Sequence, residues 1–326
     1  MEPDPVTVPV VTPAAAITSD NSTFTVDTSK ALSQAVSHLA TQMPQGAGLT
    51  SGGGGASGNG NTAFGSMNGS VAQLSGYLYD LKQSADLKPT AMAPNAAENA
   101  LPSATAPGWW GFPSTNEEIR VLRNFVATFD DQLLDDYYHA PSVLFAPQIF
   151  IPELSAGEAP KAFGVEKTVQ PRRWIIIYKA RIIPPVTGDF RFTGFADDYM
   201  VVRIDDHNVL DACWNRGLLD AKADVNEDVG LAPKYTGSYG PQLPLACGQW
   251  VHMTAGIEMD MKVLIGEGPG GQSSFFLFIQ QKGVNYPKGD YPIFQVTDVP
   301  VPHVDNPKTA PPAFSGKKMV FGVHPQ

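Results

Sequence analysis

The chain has 326 residues, enough for one large domain or two small ones with a sizeable hydrophobic core. Its charged fraction of 17% lies well below the ~25% of an average globular protein, and its 31 Gly and 29 Pro favour strands and turns over helices. The formal net charge of -10 repels phosphate backbones, and no window reaches the ~18 apolar residues of a membrane span, so we expect neither a nucleic-acid partner nor direct membrane insertion.

Residues 1–110 form a low-complexity segment rich in Ala, Gly, Ser, Thr and Pro, including the run SGGGGASGNGNTAFGSMNGS. Within it, 22–28 alternates like a strand and 29–43 has weak helical spacing. Two interpretations remain open. The segment is a flexible linker or tail, or it is an arm that becomes ordered against another subunit.

Residues 111–162 contain a predicted amphipathic helix over about 116–138, followed by a connecting segment. Two overlapping capping boxes, Ser114 with Glu117 and Thr115 with Glu118, mark its start. Apolar residues recur at helical spacing along one face, which we expect to dock on the domain that follows. They are Ile119, Leu122, Phe125, Val126, Phe129, Leu133 and Tyr137.

Residues 163–300 show the two-residue period of β-strands, with turn residues between the candidates. The absence of intervening helical patterns predicts a mainly β fold, an antiparallel sandwich or barrel. A long insertion, 214–249, interrupts this region, and a Pro-rich tail covers 301–326. The seven candidate strands are RRWIIIYKARI, GDFRFTGFA, YMVVRID, NVLDACW, WVHMTAGIEMDMKVLI, SSFFLFIQQK and YPIFQVTDV.

The two cysteines, Cys213 and Cys247, leave two alternatives open: one disulfide or two buried thiols. Two cysteines are too few for a thiolate-rich metal cluster.

No catalytic motif is present: the chain has no GxSxG elbow, HExxH helix, CxxC pair or glycine-lysine phosphate loop. Gly266, Gly268 and Gly271 spell GxGxxG, but a strand-like segment follows where a dinucleotide site needs a helix. We therefore predict a β-hairpin loop there, and a protein that is not an enzyme.

Two acidic doublets, Asp197-Asp198 and Asp205-Asp206, lie at opposite tips of one short predicted strand. Neighbouring carboxylates at a loop rim can gather the oxygen ligands that calcium requires. Aspartates also form side-chain turns, so a purely structural role is the alternative.

The stretch from Gly188 to Trp214 resembles the protective-antigen domain family, named after a component of anthrax toxin and found in adhesins, flocculins and glycosidases. The resemblance is carried by a glycine-aromatic turn, an alternating aromatic strand, the Asp197-Asp198 doublet and the Val209-Leu210-Asp211 strand before the tryptophan. It spans roughly 163–300 and implies a β-sandwich of the protective-antigen type. The flanks GYLYDLKQ, FAPQIFIPEL and APKAFGVEKTVQPRRW also resemble uncharacterised proteins of verrucomicrobial and planctomycete bacteria.

The resemblance implies calcium held by Asp197 and Asp198, with the ion in turn coordinating sugar hydroxyls. Our first hypothesis is therefore a non-enzymatic carbohydrate-binding or adhesion module. The insertion would supply its ligand-binding rim, in particular Trp214, Asn215, Tyr235 and Tyr239.

The alternative hypothesis is a structural subunit of a self-assembling extracellular filament or surface layer. In this case the N-terminal arm adds to a sheet edge of a neighbouring copy, forming a homo-oligomer. The first 18 residues lack the basic flank and unbroken apolar core of a signal peptide. The protein is either cytoplasmic or exported with its signal removed; low charge and the family resemblance favour an extracellular or cell-surface location.

Overall fold

The computed structural model describes residues 61–70, 72–99, 112–213, 234–235, 243–286, 291–300 and 319–324. All of them belong to one compact unit, Leu49–Gln326. The predicted strand at 22–28 and the glycine run lie outside the described residues. In the part of the chain that is described, no helix has the length and apolar character needed to cross a membrane.

The described strands are short to medium in length. In chain order they are β1 (Asn61–Thr62), β2 (Gly65–Ser66), β3 (Leu74–Ser84), β4 (Tyr137–His139), β5 (Leu144–Ala146), β6 (Phe150–Ser155), β7 (Trp174–Ile183), β8 (Gly188–Asp197), β9 (Tyr199–Ile204), β10 (His207–Asp211), β11 (Lys234–Tyr235), β12 (Leu243–Pro244), β13 (Ala246–Cys247), β14 (Val251–Met253), β15 (Met259–Glu267), β16 (Gln272–Gln281), β17 (Phe294–Gln295), β18 (Met319–Val320) and β19 (Gly322–His324). The helices are α1 (Ala96–Asn99), α2 (Pro113–Thr128) and α3 (Glu158–Ala162), with a 3₁₀ turn at Asp131–Leu134.

Two antiparallel sheets form a β-sandwich, as the alternating sequence pattern predicts. The larger sheet has the order β1-β2-β5-β3-β7-β15-β9-β10, with β4 beside β3 and β19 beside β7. The smaller has the order β13-β8-β16-β6, with β14 beside β8. Alternate residues of both sheets point into one shared core, since side chains on a strand face opposite sides in turn. Its members include Leu78, Ile176, Val202, Val263, Ile265, Phe192, Phe275 and Leu277.

Helix α2 covers the outer face of the larger sheet. Its Leu122, Phe125 and Val126 are fully buried and share a cluster with Ile177 and Leu264 of the sheet. The prediction that the aromatic stripe of this helix belongs to a core is confirmed for Phe125 and Phe129, whereas Leu133 is exposed and Tyr137 lies in β4, beyond the end of the helix.

The ends of α2 differ from the predicted range of 116–138. The helix stops at Thr128 because Phe129 takes up a left-handed conformation (φ 53°), and Asp130 then caps the 3₁₀ turn. At the other end Pro113 occupies the first turn, and no side chain caps the helix. The predicted capping boxes are therefore wrong: Thr115 and Glu118 are buried and face Arg173 instead.

Part of the predicted N-terminal arm belongs to the sandwich. Strand β3 pairs with β7 from Ser75 opposite Lys179 to Asp80 opposite Trp174. Gly76 allows this close pairing, because a Cβ there would lie 2.6 Å from the ring of Tyr178. The boundary at residue 110 is thus wrong for residues 61–99, where Gly- and Ser-rich composition hides an alternating strand.

The predicted C-terminal tail, 301–326, also contributes to the core. Within it, β18 pairs with β17 and β19 pairs with β7. Phe321 between them is fully buried and contacts the rings of Phe190 and Phe294. Strands of two and three residues are too short to show a period, so the sequence pattern could not reveal them.

One further prediction needs correction, and one pair of alternatives is decided. The candidate strand over 250–265 is split into β14, in the smaller sheet, and β15, in the larger; a turn at Gly256 (φ 76°) lies between them. Cys213 and Cys247 are buried thiols rather than a disulfide.

Candidate functional site

The doublet Asp197-Asp198 lies where the chain passes from one sheet to the other. Asp197 is the last residue of β8 in the smaller sheet, and β9 of the larger sheet begins at Tyr199. The peptide bond between the two aspartates is cis. The doublet therefore occupies one end of the sandwich, between the sheets.

A second crossing runs beside the first. Residues 268–271 lead from β15 in the larger sheet to β16 in the smaller, so the predicted β-hairpin at the GxGxxG sequence is wrong. The Asp198 N–H donates to the Gly266 carbonyl (3.2 Å), and the Gly268 N–H donates to Asp198 Oδ2 (2.8 Å). The two crossings are thus tied together through Asp198.

Both aspartates are almost completely buried, each with 4% of its surface exposed. Burial raises the pKa of Asp197 well above its usual range, and the charge of Asp198 raises it further. Burial also raises the pKa of Asp198, to about 6, against the opposing effect of the Gly268 N–H. Ionising this doublet is therefore costly unless a cation compensates the charge.

Glu267, the last residue of β15, is a third buried carboxyl group at this end of the sandwich. It is fully buried, and neither carboxyl oxygen has a hydrogen-bond partner. Burial is the main cause that raises its pKa well above the usual range. The charges of Asp198 and Asp197 raise the pKa further, and Arg172 lowers it. Sequence reasoning missed this residue, since its one local signal is a charge inside an otherwise apolar strand.

A second group of buried charges joins α2 to the sheet, and its Glu118 lies close enough for the charge of Asp198 to raise its pKa. Arg173 is fully buried and forms an ion pair with Glu98, and its Nε lies 3.4 Å from Glu118 Oε2. Despite this short distance, Arg173 Nε makes no hydrogen bond to Glu118. Burial outweighs the nearby guanidinium and raises the pKa of Glu118 to about 8.

The long insertion is anchored at both ends on the strand that leads to the doublet. Cys213 forms a bridge with Ala196, and Ala246 pairs with Gly194. The insertion thus leaves and rejoins the sandwich within three residues of Asp197. Of the four predicted ligand residues, Trp214, Asn215 and Tyr239 lie outside the described residues, and only the backbone of Tyr235 is described, in β11.

The second doublet has a different environment. Asp205 (φ 47°) sits in the turn between β9 and β10, where its Oδ1 accepts the Asp260 N–H at 2.8 Å. Asp206 is 97% exposed. These two residues form a surface turn at the opposite tip of β9, and the Asp205 side chain bonds to the neighbouring strand β15 rather than within its own turn.

As placed, no group of three or more His, Cys, Asp or Glu side chains within the described residues is arranged to hold a metal ion. The doublet by itself offers two carboxylates. Further oxygen ligands would have to come from other segments or from a side chain that turns toward it.

No family model and no curated protein matches this chain. Among solved structures it is similar to a "PA14 sugar-binding domain from RTX adhesin", with 13% identity, 69% of this chain and 96% of that chain covered, and a TM-score of 0.36. A PA14 domain of the antifreeze protein MpAFP shows 11% identity, 68% and 86% coverage and a TM-score of 0.36. The epithelial adhesin 6 A domain from Candida glabrata shows 14% identity, 76% and 93% coverage and a TM-score of 0.33. The fold assignment rests on the strand order and registers of the chain itself.

Proposed function

We propose that this chain is a non-enzymatic, calcium-dependent carbohydrate-binding module that works outside the cell or at its surface. One observation carries the proposal: the adjacent carboxyl groups of Asp197 and Asp198 are buried together at the end of the sandwich. A bound cation would neutralise them where burial otherwise disfavours their charged forms.

The chemistry of the doublet fits calcium. Calcium takes six to eight oxygen ligands in a flexible arrangement, and carboxylates are its main protein ligands. The Gly268 N–H fixes one oxygen of Asp198, and a hydrogen bond between the side chains of Asp197 and Asp198 holds the two carboxyl groups together, where one ion would replace the shared proton. Residues 214–249 would add the remaining ligands.

The place of the insertion supports a glycan as the ligand. Its two anchors, Cys213 on Ala196 and Ala246 on Gly194, lie next to the doublet. Trp214, Asn215, Tyr235 and Tyr239 are the residues we propose for the rim, because aromatic rings cover sugar faces and amides bond to hydroxyls. The resemblance of residues 188–214 to protective-antigen domains favours the same ligand class.

The test is a glycan array probed with the wild-type protein in calcium and again in EDTA. We expect binding in calcium alone, and its loss in Asp197→Asn, which removes one charge at nearly constant shape. Asp206→Asn is the matched control, since it neutralises an exposed aspartate of the other doublet. Glycan binding that survives both EDTA and Asp197→Asn would overturn the proposal.

A further inference from the structure

Glu267 is a polar group that the fold leaves unsatisfied. Its side chain is fully buried, and both of its oxygens lack a hydrogen-bond partner. Buried polar groups are nearly always bonded, and an exception calls for an explanation such as a bound ion. Protonation would remove the charge, but it would leave the hydroxyl hydrogen and the other oxygen without partners.

Glu267 lies beside Asp198 on the neighbouring strand. Tyr199 pairs with Gly266, and Asp198 and Glu267 are the next residues on either side of that pair. The backbone hydrogen bonds from Asp198 to Gly266 and from Gly268 to Asp198 flank Glu267 on both sides. Strand alternation from the core residue Ile265 directs Glu267 to the inner side of the larger sheet. The Asp198 carboxyl group lies on the side of Gly268 and the Tyr199 hydroxyl, so the two carboxyl groups are close in the chain but start on different sides of the strand end.

The opposite sheet adds a second unsatisfied oxygen. Ser273 of β16 is fully buried, and its hydroxyl has no hydrogen-bond partner. Its neighbour on the same strand face, Phe275, lies in the core between the sheets. The cross-strand partner of Ser274 is Asp197. Because neighbouring residues on a strand face opposite sides, Ser273 faces the core while Asp197 lies with Ser274 on the other side of the smaller sheet.

We propose that Glu267 is a third carboxylate ligand of the cation site, turning toward Asp198 when the ion binds. This inference rests on the proposed calcium site at the doublet. As placed, the three carboxylates do not form a metal site. The rotation breaks no hydrogen bond, because nothing bonds either oxygen of Glu267.

A third carboxylate changes what the site can hold. Three charges around one dication favour calcium over monovalent ions, since affinity for calcium increases with the number of charged ligands. The ion would also sit inside the end of the sandwich, where it ties β15 to the β8–β9 crossing. Calcium would then stabilise the fold as well as bind ligand.

The test uses the whole chain with calcium and with terbium, a luminescent substitute for calcium. Trp174 is the cross-strand partner of Glu267, so we expect it to sensitise terbium luminescence. Glu267→Gln should raise the calcium Kd roughly 100-fold, since one ligand charge is lost. Glu267→Asp keeps the charge but shortens the reach, and should raise the Kd roughly tenfold. The Asp variant also tests the role of Glu267 if the Gln variant fails to fold.

Glu118→Gln is the control for a general effect of charge, because Glu118 is an equally buried glutamate that faces Arg173 and interacts electrostatically with Asp198 and Glu267. We expect it to change the calcium Kd less than about fivefold.

The outcomes separate the two proposals. If the wild type binds neither calcium nor terbium, the proposed function fails and this inference fails with it. If the wild type binds calcium and Asp197→Asn does not, but both Glu267 variants keep wild-type affinity, then only the role of Glu267 is overturned. Equal losses in Glu267→Gln and Glu118→Gln would also overturn it, because they would show a general effect of charge.

Discussion

Gly268 is the residue that ties the doublet to the neighbouring crossing. Its N–H donates to Asp198 Oδ2, and a Cβ at this position would lie 2.9 Å from that oxygen and 2.9 Å from the Tyr199 hydroxyl. Any larger residue must therefore displace the carboxylate that we propose as a calcium ligand. The glycine is required by close approach rather than by an unusual φ.

Gly268→Ala should damage the ion site more than the fold. Both clashing atoms are side-chain ends that can move, so we expect a loss of only about 1 kcal/mol in the free energy of unfolding. Calcium affinity should fall at least tenfold, as expected when a neighbour that orients a ligand is disturbed. The measurements are urea denaturation in EDTA and calorimetric calcium titration.

Gly271→Ala is the control from the same turn, because a Cβ there meets no atom within 4 Å. It should leave both the stability and the calcium affinity close to wild type. Equal calcium affinity in the two alanine variants would contradict the role assigned to Gly268.

The local sequence shows the doublet but not Glu267. Two adjacent aspartates between apolar strands form a signal that can be seen in one short window. Glu267 comes to lie beside the residues of the doublet only because a second crossing packs against the first, and such long-range pairing leaves no trace in spacing. The glycines around Glu267 resemble a nucleotide loop or a hairpin, and only the sheet assignment of β15 and β16 shows what they do.

At the scale of elements, helix α2 is held by charge as well as by its apolar stripe. Periodicity predicts the stripe, but it cannot predict where Phe129 ends the helix or that Glu118 faces inward. The Arg173 guanidinium donates to the Met92 carbonyl (2.7 Å) and to Thr115 Oγ1 (2.8 Å), besides pairing with Glu98. One buried arginine, which directly precedes β7, thus joins the segment at Met92, α1 and α2 to the start of that strand.

Arg173→Met should destabilise this docking strongly. It leaves Glu98 and Glu118 buried without their cation, and breaking a buried ion pair by removing one partner costs about 3–5 kcal/mol. Arg181→Met is the control, because its ion pair with Glu258 is largely exposed and should contribute less than about 1 kcal/mol. Urea denaturation of both variants gives the comparison; similar losses in the two would argue against a docking role for Arg173.

At the scale of the whole molecule, composition and strand pattern predict different boundaries. The strand-like segments of 163–300 correctly predict the antiparallel sandwich, although the last candidate, 291–299, contributes only the two-residue strand β17, which pairs in parallel with β18. Residues 61–99 and 319–324 cannot be predicted in this way, because glycine-rich or very short segments carry little periodicity. Strands β3 and β19 join the larger sheet by pairing with β7, β2 joins it by pairing with β5, and β18 pairs with β17.

This boundary can be tested by shortening the chain. A chain that starts at residue 61 keeps every described strand, and we expect it to melt within a few degrees of the full chain. A chain that starts at residue 111 loses β3, with the buried Leu74, Leu78 and Leu81. Burial of three leucines contributes roughly 5–9 kcal/mol, which is comparable with the whole stability of about 5–15 kcal/mol of a typical domain. We therefore expect the second chain to lack a cooperative thermal transition by circular dichroism. A cooperative transition there would restore the boundary at residue 110 and make β3 dispensable.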